Sequence, residues 1–158
     1  MIQQVCFADT LLHAAQEVFE TMIFMDLQPC SEPDRRLDGE VLMATITFTS
    51  SLEGCLAICA EKACAEAIAV NMLGLETGDN LSHGEVCDAI GEVANMVMGS
   101  VKSRLTDTYQ DIQVSIPSVV KGRELSNSLK DQAQRVSVKV NVEDAHLMEL
   151  SLLYREGR

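Results

Sequence analysis

Apolar and polar positions alternate with two different periods along this chain, and the changes of period mark its elements. Leu11, Leu12, Ala15, Val18, Phe19, Met22 and Ile23 recur at helical spacing behind Asp9, which reads as an N-cap. They predict an amphipathic helix over about residues 9–25. Pro29 and Pro33 break the chain into a polar loop running to Gly39. Over Glu40–Ser50 the period falls to two, with Leu42, Ala44, Ile46 and Phe48 on one side and Thr45, Thr47 and Thr49 on the other. Ser51-Leu52-Glu53-Gly54 then reads as a turn and Cys55–Ala60 as the returning strand of a hairpin. Lys62–Leu73, rich in Ala, predicts a shorter helix that Gly74 stops, followed by a loop at Gly78-Asp79-Asn80. Ser82 and Glu85 form a capping-box signature that opens a long helix to about Leu105. Ile112, Val114 and Ile116 alternate as a strand ending at Pro117; Ser118–Gly122 extends it or turns it, with Gly122 opening a loop. Ser126–Gln134 is polar and unpatterned, a surface connection. Val136, Val138, Val140 and Val142 give the clearest strand, Glu143-Asp144-Ala145 turns it, and His146–Tyr154 is its partner.

Antiparallel hairpins with segregated helices predict an α+β fold, an antiparallel sheet packed with two long helices and a shorter one. Each half opens with a long amphipathic helix and carries one hairpin, which points to an internal pseudo-two-fold repeat. No linker or low-complexity stretch divides residues 1–158, so a single domain is expected.

The helix from Ser82 to Leu105 carries the candidate chemistry. With Asp88 at zero and about 100° per residue, Glu92, Asn95, Gly99 and Lys102 fall within roughly 40° of it, a single polar stripe. Val86, Ile90, Val93, Val97 and Val101 fall on the opposite side and form the expected core face. Arg104 lands on that core side too, so the helix is expected to fray or leave the core near its end. A glycine inside a helix costs about 1 kcal/mol relative to alanine, and Gly99 in the middle of the stripe lets another backbone or side chain approach closely. Met96 and Met98 flank the stripe, as adaptable contacts at the margin of a binding patch. A bare Glu-x-x-Asn is nonetheless most often a solvated helix face.

Charge narrows the partners. Lys and Arg number 12 against 24 Asp and Glu, a net charge of −12. Such a chain gains nothing from counterion release on nucleic acid and is not drawn to an anionic membrane surface. No apolar run approaches the roughly 20 residues that span a bilayer, and the start lacks the features of a signal peptide, so a cytoplasmic location is expected. The six cysteines (Cys6, Cys30, Cys55, Cys59, Cys64 and Cys87) include no Cys-x-x-Cys pair and do not cluster with His13, His83 or His146. They read as buried free thiols rather than metal ligands, and no metal site is expected. Cys55 and Cys59, four apart on a strand, share a face. A thiol- or metal-based sensor and a small-molecule enzyme rank lower, the latter because there is no Gly-rich phosphate loop, nucleophile elbow or metal-binding His pair.

Asp88-Ala-Ile-Gly-Glu92-Val-Ala-Asn95-Met96-Val-Met-Gly99-Ser-Val-Lys102 resembles the signature helix of the CheC/CheX/FliY phosphatase family. That signature is followed further along by a proline, here Pro117 in Ser115-Ile-Pro117-Ser-Val-Val-Lys-Gly122, a segment similar to the strand and turn of CheX proteins. The opening helix, through Val18-Phe19-Glu20-Thr21-Met22, also resembles CheX starts, so the likeness spans nearly the whole chain. It implies a phosphatase acting on the aspartyl phosphate of a CheY-like response-regulator receiver, with Glu92 and Asn95 catalytic. Asp88, Met96 and Gly99 would touch the partner, and Pro117 would shape the neighbouring loop. Mg²⁺ is implied in the partner's site, with no cofactor of the chain's own. CheC-type members carry Glu-x-x-Asn in both halves; here Glu17-Val-Phe-Glu20 ends in Glu, which when ionised cannot donate a hydrogen bond, so the first half is expected to be inactive. The resemblance further implies a homodimer paired through sheet edges. The alternative is a non-catalytic receiver-binding adaptor of the same fold.

Overall fold

The alternating stretches are realised as one seven-stranded antiparallel sheet in the computed structural model, which describes residues 6–32, 34–75, 81–123 and 133–156. Three helices accompany it: α1 (Phe7–Val18), α2 (Lys62–Leu73) and α3 (His83–Leu105). The strands are β1 (Leu27–Pro29), β2 (Val41–Thr49), β3 (Leu52–Glu61), β4 (Gln113–Val114), β5 (Ser118–Gly122), β6 (Gln134–Val142) and β7 (His146–Glu156). Hairpins β2–β3 and β6–β7 meet through the antiparallel pair β3–β7 at the centre. β1 pairs with β6 at one edge, and β4 and β5 both pair with β2 at the other. Each outer strand thus belongs to one half of the chain and lines the hairpin of the other. Pro33, the loop at Gly78-Asp79-Asn80 and most of Ser126–Gln134 lie outside the described residues.

Strand alternation sorts the residues as expected: Leu42, Ala44, Ile46 and Phe48 join Val140, Val142, Met148, Leu150 and Leu152 in the core beneath the helices. A smaller cluster of Met43, Ala57 and Cys59, with Leu37 against it, occupies the other face. Gly54 is a correction. It sits inside β3 rather than in a turn, because a Cβ there would collide with the Leu153 carbonyl and the Phe48 ring. The hairpin therefore turns earlier, at Ser50–Leu52, where the Ser50 amide donates to the Leu52 carbonyl at 2.9 Å. Pro29 is a second correction: it ends an edge strand, where a missing N–H costs no ladder bond.

The first helix begins two residues before Asp9, with Cys6 at the N-cap position and no side-chain cap, so Asp9 lies in its first turn. It ends differently from expectation. Phe19–Ile23 winds as a π-helix, Phe24 closes it in the left-handed region at φ 62°, and the Asn71 side chain donates to the Ile23 carbonyl. The wider turn keeps Phe19 and Ile23 buried and rotates Met22 outward to 58% exposure, although a regular helix would have placed it on the core face. By contrast, Gly74 does end α2 in the left-handed conformation, at φ 67°.

The second outer strand departs most from its pattern. Ile112 is buried, but Val114 is exposed and Ile116 is 86% exposed. Residues 113–114 and 118–122 pair with β2 in registers that differ by one, so Ser115-Ile116-Pro117 forms a one-residue bulge opposite β2. Ser115 holds it: its amide donates to the Thr47 carbonyl at 2.9 Å, and its Oγ accepts from the Thr47 amide at 3.0 Å. Pro117, with no amide hydrogen, suits a bulge. Beyond it the chain rejoins the sheet, so Gly122 ends a strand instead of opening a loop.

Candidate functional site

Helix α3 starts where the capping box placed it. Ser82 Oγ accepts from the Glu85 amide and Glu85 Oε1 accepts from the Ser82 amide, both at 3.1 Å. Its inner side is buried along its length: Val86, Ile90, Val93, Val97 and Val101 all lie in the core, joined by Ala89, Ala94, Met98 and Leu105. A helix anchored by so much apolar surface is a rigid platform for what it displays outward.

Asp88, Glu92, Asn95, Gly99 and Lys102 are all exposed on the outer side, and Met96 beside them is half-buried. A Cβ added at Gly99 would meet nothing within 4 Å, so the surface is open there. Met98 is a correction. It is fully buried in the core cluster, and only Met96 borders the stripe. Arg104 is another. The helix stays in the core through Leu105, while Arg104 is exposed and reaches across to Glu17 of α1 at 3.0 Å. Glu17 also accepts from Ser100 Oγ at 3.1 Å, so both of its oxygens face α3. Glu20 is exposed within the π-helical turn.

Two features border the stripe, the expected segment at Pro117 in the form of a bulge and a groove that the sequence did not predict. On one side the bulge comes against α3: the Pro117 ring lies 3.6 Å from where a Cβ of Gly91, next to Glu92, would be. Ile116 projects from the same bulge. On the other side the end of α2 and the start of α3 enclose a groove of about 240 Å³ lined by Met72, Leu73, Glu85, Asp88, Ala89 and Glu92. The sequence carried no signal for the groove, because its lining comes from two helices.

None of the thiols belongs to the stripe, but Cys87, next to Asp88 on α3, has its Sγ 3.4 Å from His83 Nε2, which corrects the expectation that no cysteine sits with a histidine. Cys55, Cys59 and Cys64 are buried and outside any disulfide; Cys6 is exposed and Cys30 and Cys87 are half-buried, which corrects the reading of all six as buried. Burial, with Glu149 nearby, pushes the Cys59 thiol up to about 11, and burial, with Glu61 nearby, pushes Cys64 up to about 12. Among the described residues no three His, Cys, Asp or Glu are placed to hold a metal ion, and no helix is long and apolar enough to cross a membrane.

A family model described as chemotaxis phosphatase CheX matches residues 42–141. The fold is similar to that of the chemotaxis protein CheX from Vibrio vulnificus, with a TM-score of 0.78 at 24% identity over 98% of this chain and 100% of that one. It is also similar to CheX in the CheX–CheY–BeF3–Mg²⁺ complex from Borrelia burgdorferi, with a TM-score of 0.75 at 18% identity over 97% and 100%. FliY from Thermotoga maritima gives a TM-score of 0.65 at 17% identity over 96% and 91%. No curated protein sequence matches the chain.

Proposed function

The chain belongs to the CheX family of chemotaxis phosphatases, and on that premise we propose that it accelerates hydrolysis of the aspartyl phosphate on a CheY-like receiver. The observation that carries this reading is the joint exposure of Glu92 and Asn95, three residues apart on the outer side of a helix whose inner side is wholly anchored. An acyl phosphate is already reactive, so the protein's task is to fix an attacking water in line, and positioning alone supplies large rate factors in phosphoryl transfer.

Asn95 suits that task because its amide offers both an acceptor and donors. Its oxygen accepts from the water and orients the lone pair toward phosphorus, while its nitrogen reaches a phosphoryl oxygen. Water attacks, the bond between phosphorus and the aspartyl oxygen breaks, and the electron pair returns to the carboxylate. Glu92 pairs with the receiver's active-site lysine by a charge-assisted hydrogen bond and sets the docking register. Asp88, Met96 and Gly99 form the surrounding contact, and Pro117 holds the bulge beside it. Glu17, turned toward Arg104, takes no part. The Borrelia burgdorferi complex contains BeF3, a stand-in for a phosphoryl group, together with Mg²⁺; by analogy the metal here belongs to the partner's site and neutralises phosphoryl charge. The same reading places the single-domain chain in the cytoplasm, as a homodimer joined along a sheet edge.

The test is the time course of phosphate loss from a phosphorylated CheY-type receiver with and without the chain. Faster loss is expected; binding of receivers with no acceleration would make the chain an adaptor instead.

A further inference from the structure

The stripe on α3 is the outer wall of something larger. The groove between α2 and α3 is lined by the apolar Met72, Leu73 and Ala89 and by three acidic residues, Glu85, Asp88 and Glu92. Leu73 is 49% exposed in the last turn of α2, a large apolar side chain left in water beside the proposed active face. Among the described residues no Lys or Arg lines the groove.

The geometry points to this groove as the seat of an apolar side chain of the receiver, and to Leu73 as a residue that sets receiver affinity and choice. The inference rests on the phosphatase reading. Asp88 and Glu92 belong to both the stripe and the groove, so a receiver docked over Glu92 necessarily covers the groove mouth. A cavity of about 150 Å³ lined by aliphatic groups accepts a benzene ring; this one, at about 240 Å³, has room for a comparable side chain. The carboxylate rim also defines what must flank that side chain. A segment carrying a Lys or Arg next to the apolar residue satisfies the rim, whereas an acidic neighbour would be repelled. A second copy of this chain is a poorer occupant here, because it would bring the same acidic rim against this one; the homodimer proposed above joins along a sheet edge instead. Buried apolar anchors commonly carry most of the energy of such contacts, and surrounding charges then select among partners.

The experiment uses the full-length chain and a CheY-type receiver that the unaltered chain dephosphorylates. Leu73→Ser, Leu73→Met and Asn95→Ala are compared for kcat, KM and affinity for the BeF3-activated receiver, with melting temperature recorded for each. Leu73→Ser is expected to raise KM and Kd about tenfold with kcat nearly unchanged, and Leu73→Met is expected to restore both. Unchanged KM and Kd in a folded Leu73→Ser overturn the groove while leaving the phosphatase reading intact. If Leu73→Ser lowers kcat alone, or Leu73→Met fails as badly as serine, the anchoring role is likewise wrong. Failure of the phosphatase reading itself shows before this comparison, as no receiver dephosphorylated by the unaltered chain.

Discussion

At position 99 the helix carries no side chain in a place where one would be free to stand. Because a Cβ there meets nothing within 4 Å, Gly99→Ala is expected to raise stability by about 1 kcal/mol, or a melting temperature roughly 2–4 °C higher for a chain of this size. The same change is expected to weaken receiver binding about tenfold, equivalent to about 1.4 kcal/mol, because the added methyl stands on the docking face. Thermal melts and titration with the activated receiver measure the two effects separately. A gain in stability without loss of binding would show that Gly99 does not matter for contact. Glu17 and Arg104 make the opposite kind of pair: exposed, at 3.0 Å, and worth no more than about 1 kcal/mol. Their value lies in tying α1 to α3.

At the scale of elements, the buried thiols of β3 and α2 set a pH limit on stability. Cys59 and Cys64 are pushed up to about 11 and about 12, from an ordinary value of 9.0, mainly by burial. In the unfolded chain they ionise first, so above pH 9 the unfolded state binds fewer protons and stability declines as pH rises. Their contribution is complete below pH 9 and is lost as pH climbs through the folded values. Denaturant midpoints between pH 8 and pH 11 are expected to fall, with a shallower slope in a Cys59→Ala, Cys64→Ala double variant; an equal slope would assign the decline to other groups. Helix α3 was legible because a capping box and a regular apolar period determine a straight helix almost completely. The valine-alternating β6 was legible for the same reason. Where one residue is added, as in the π-helical end of the first helix or the bulge at Ser115–Pro117, periodicity fails from that point on, hence the errors at Met22 and Ile116. Gly54 was misread because glycine marks a turn by default, while its reason here is a collision visible only once β7 and Phe48 are in place. The stripe of Asp88, Glu92, Asn95, Gly99 and Lys102 lies on one helix, so helical geometry alone assembles it; the groove needed a second helix and was invisible.

For the whole molecule, the sheet and the three helices present a single worked face, with α3 displayed between the bulge on one side and the end of α2 on the other. A net charge of −12 gives no long-range pull on an acidic partner, so recognition has to come from contacts on that face. The central claim is that Asn95 positions the water while Glu92 and its neighbours hold the receiver. It is tested most directly by single-turnover dephosphorylation of a CheY-type receiver by a saturating excess of Asn95→Ala, alongside its affinity for the BeF3-activated form. The account expects the rate to drop about 100-fold with affinity kept. A retained rate, or a rate lost only in step with affinity, would contradict it.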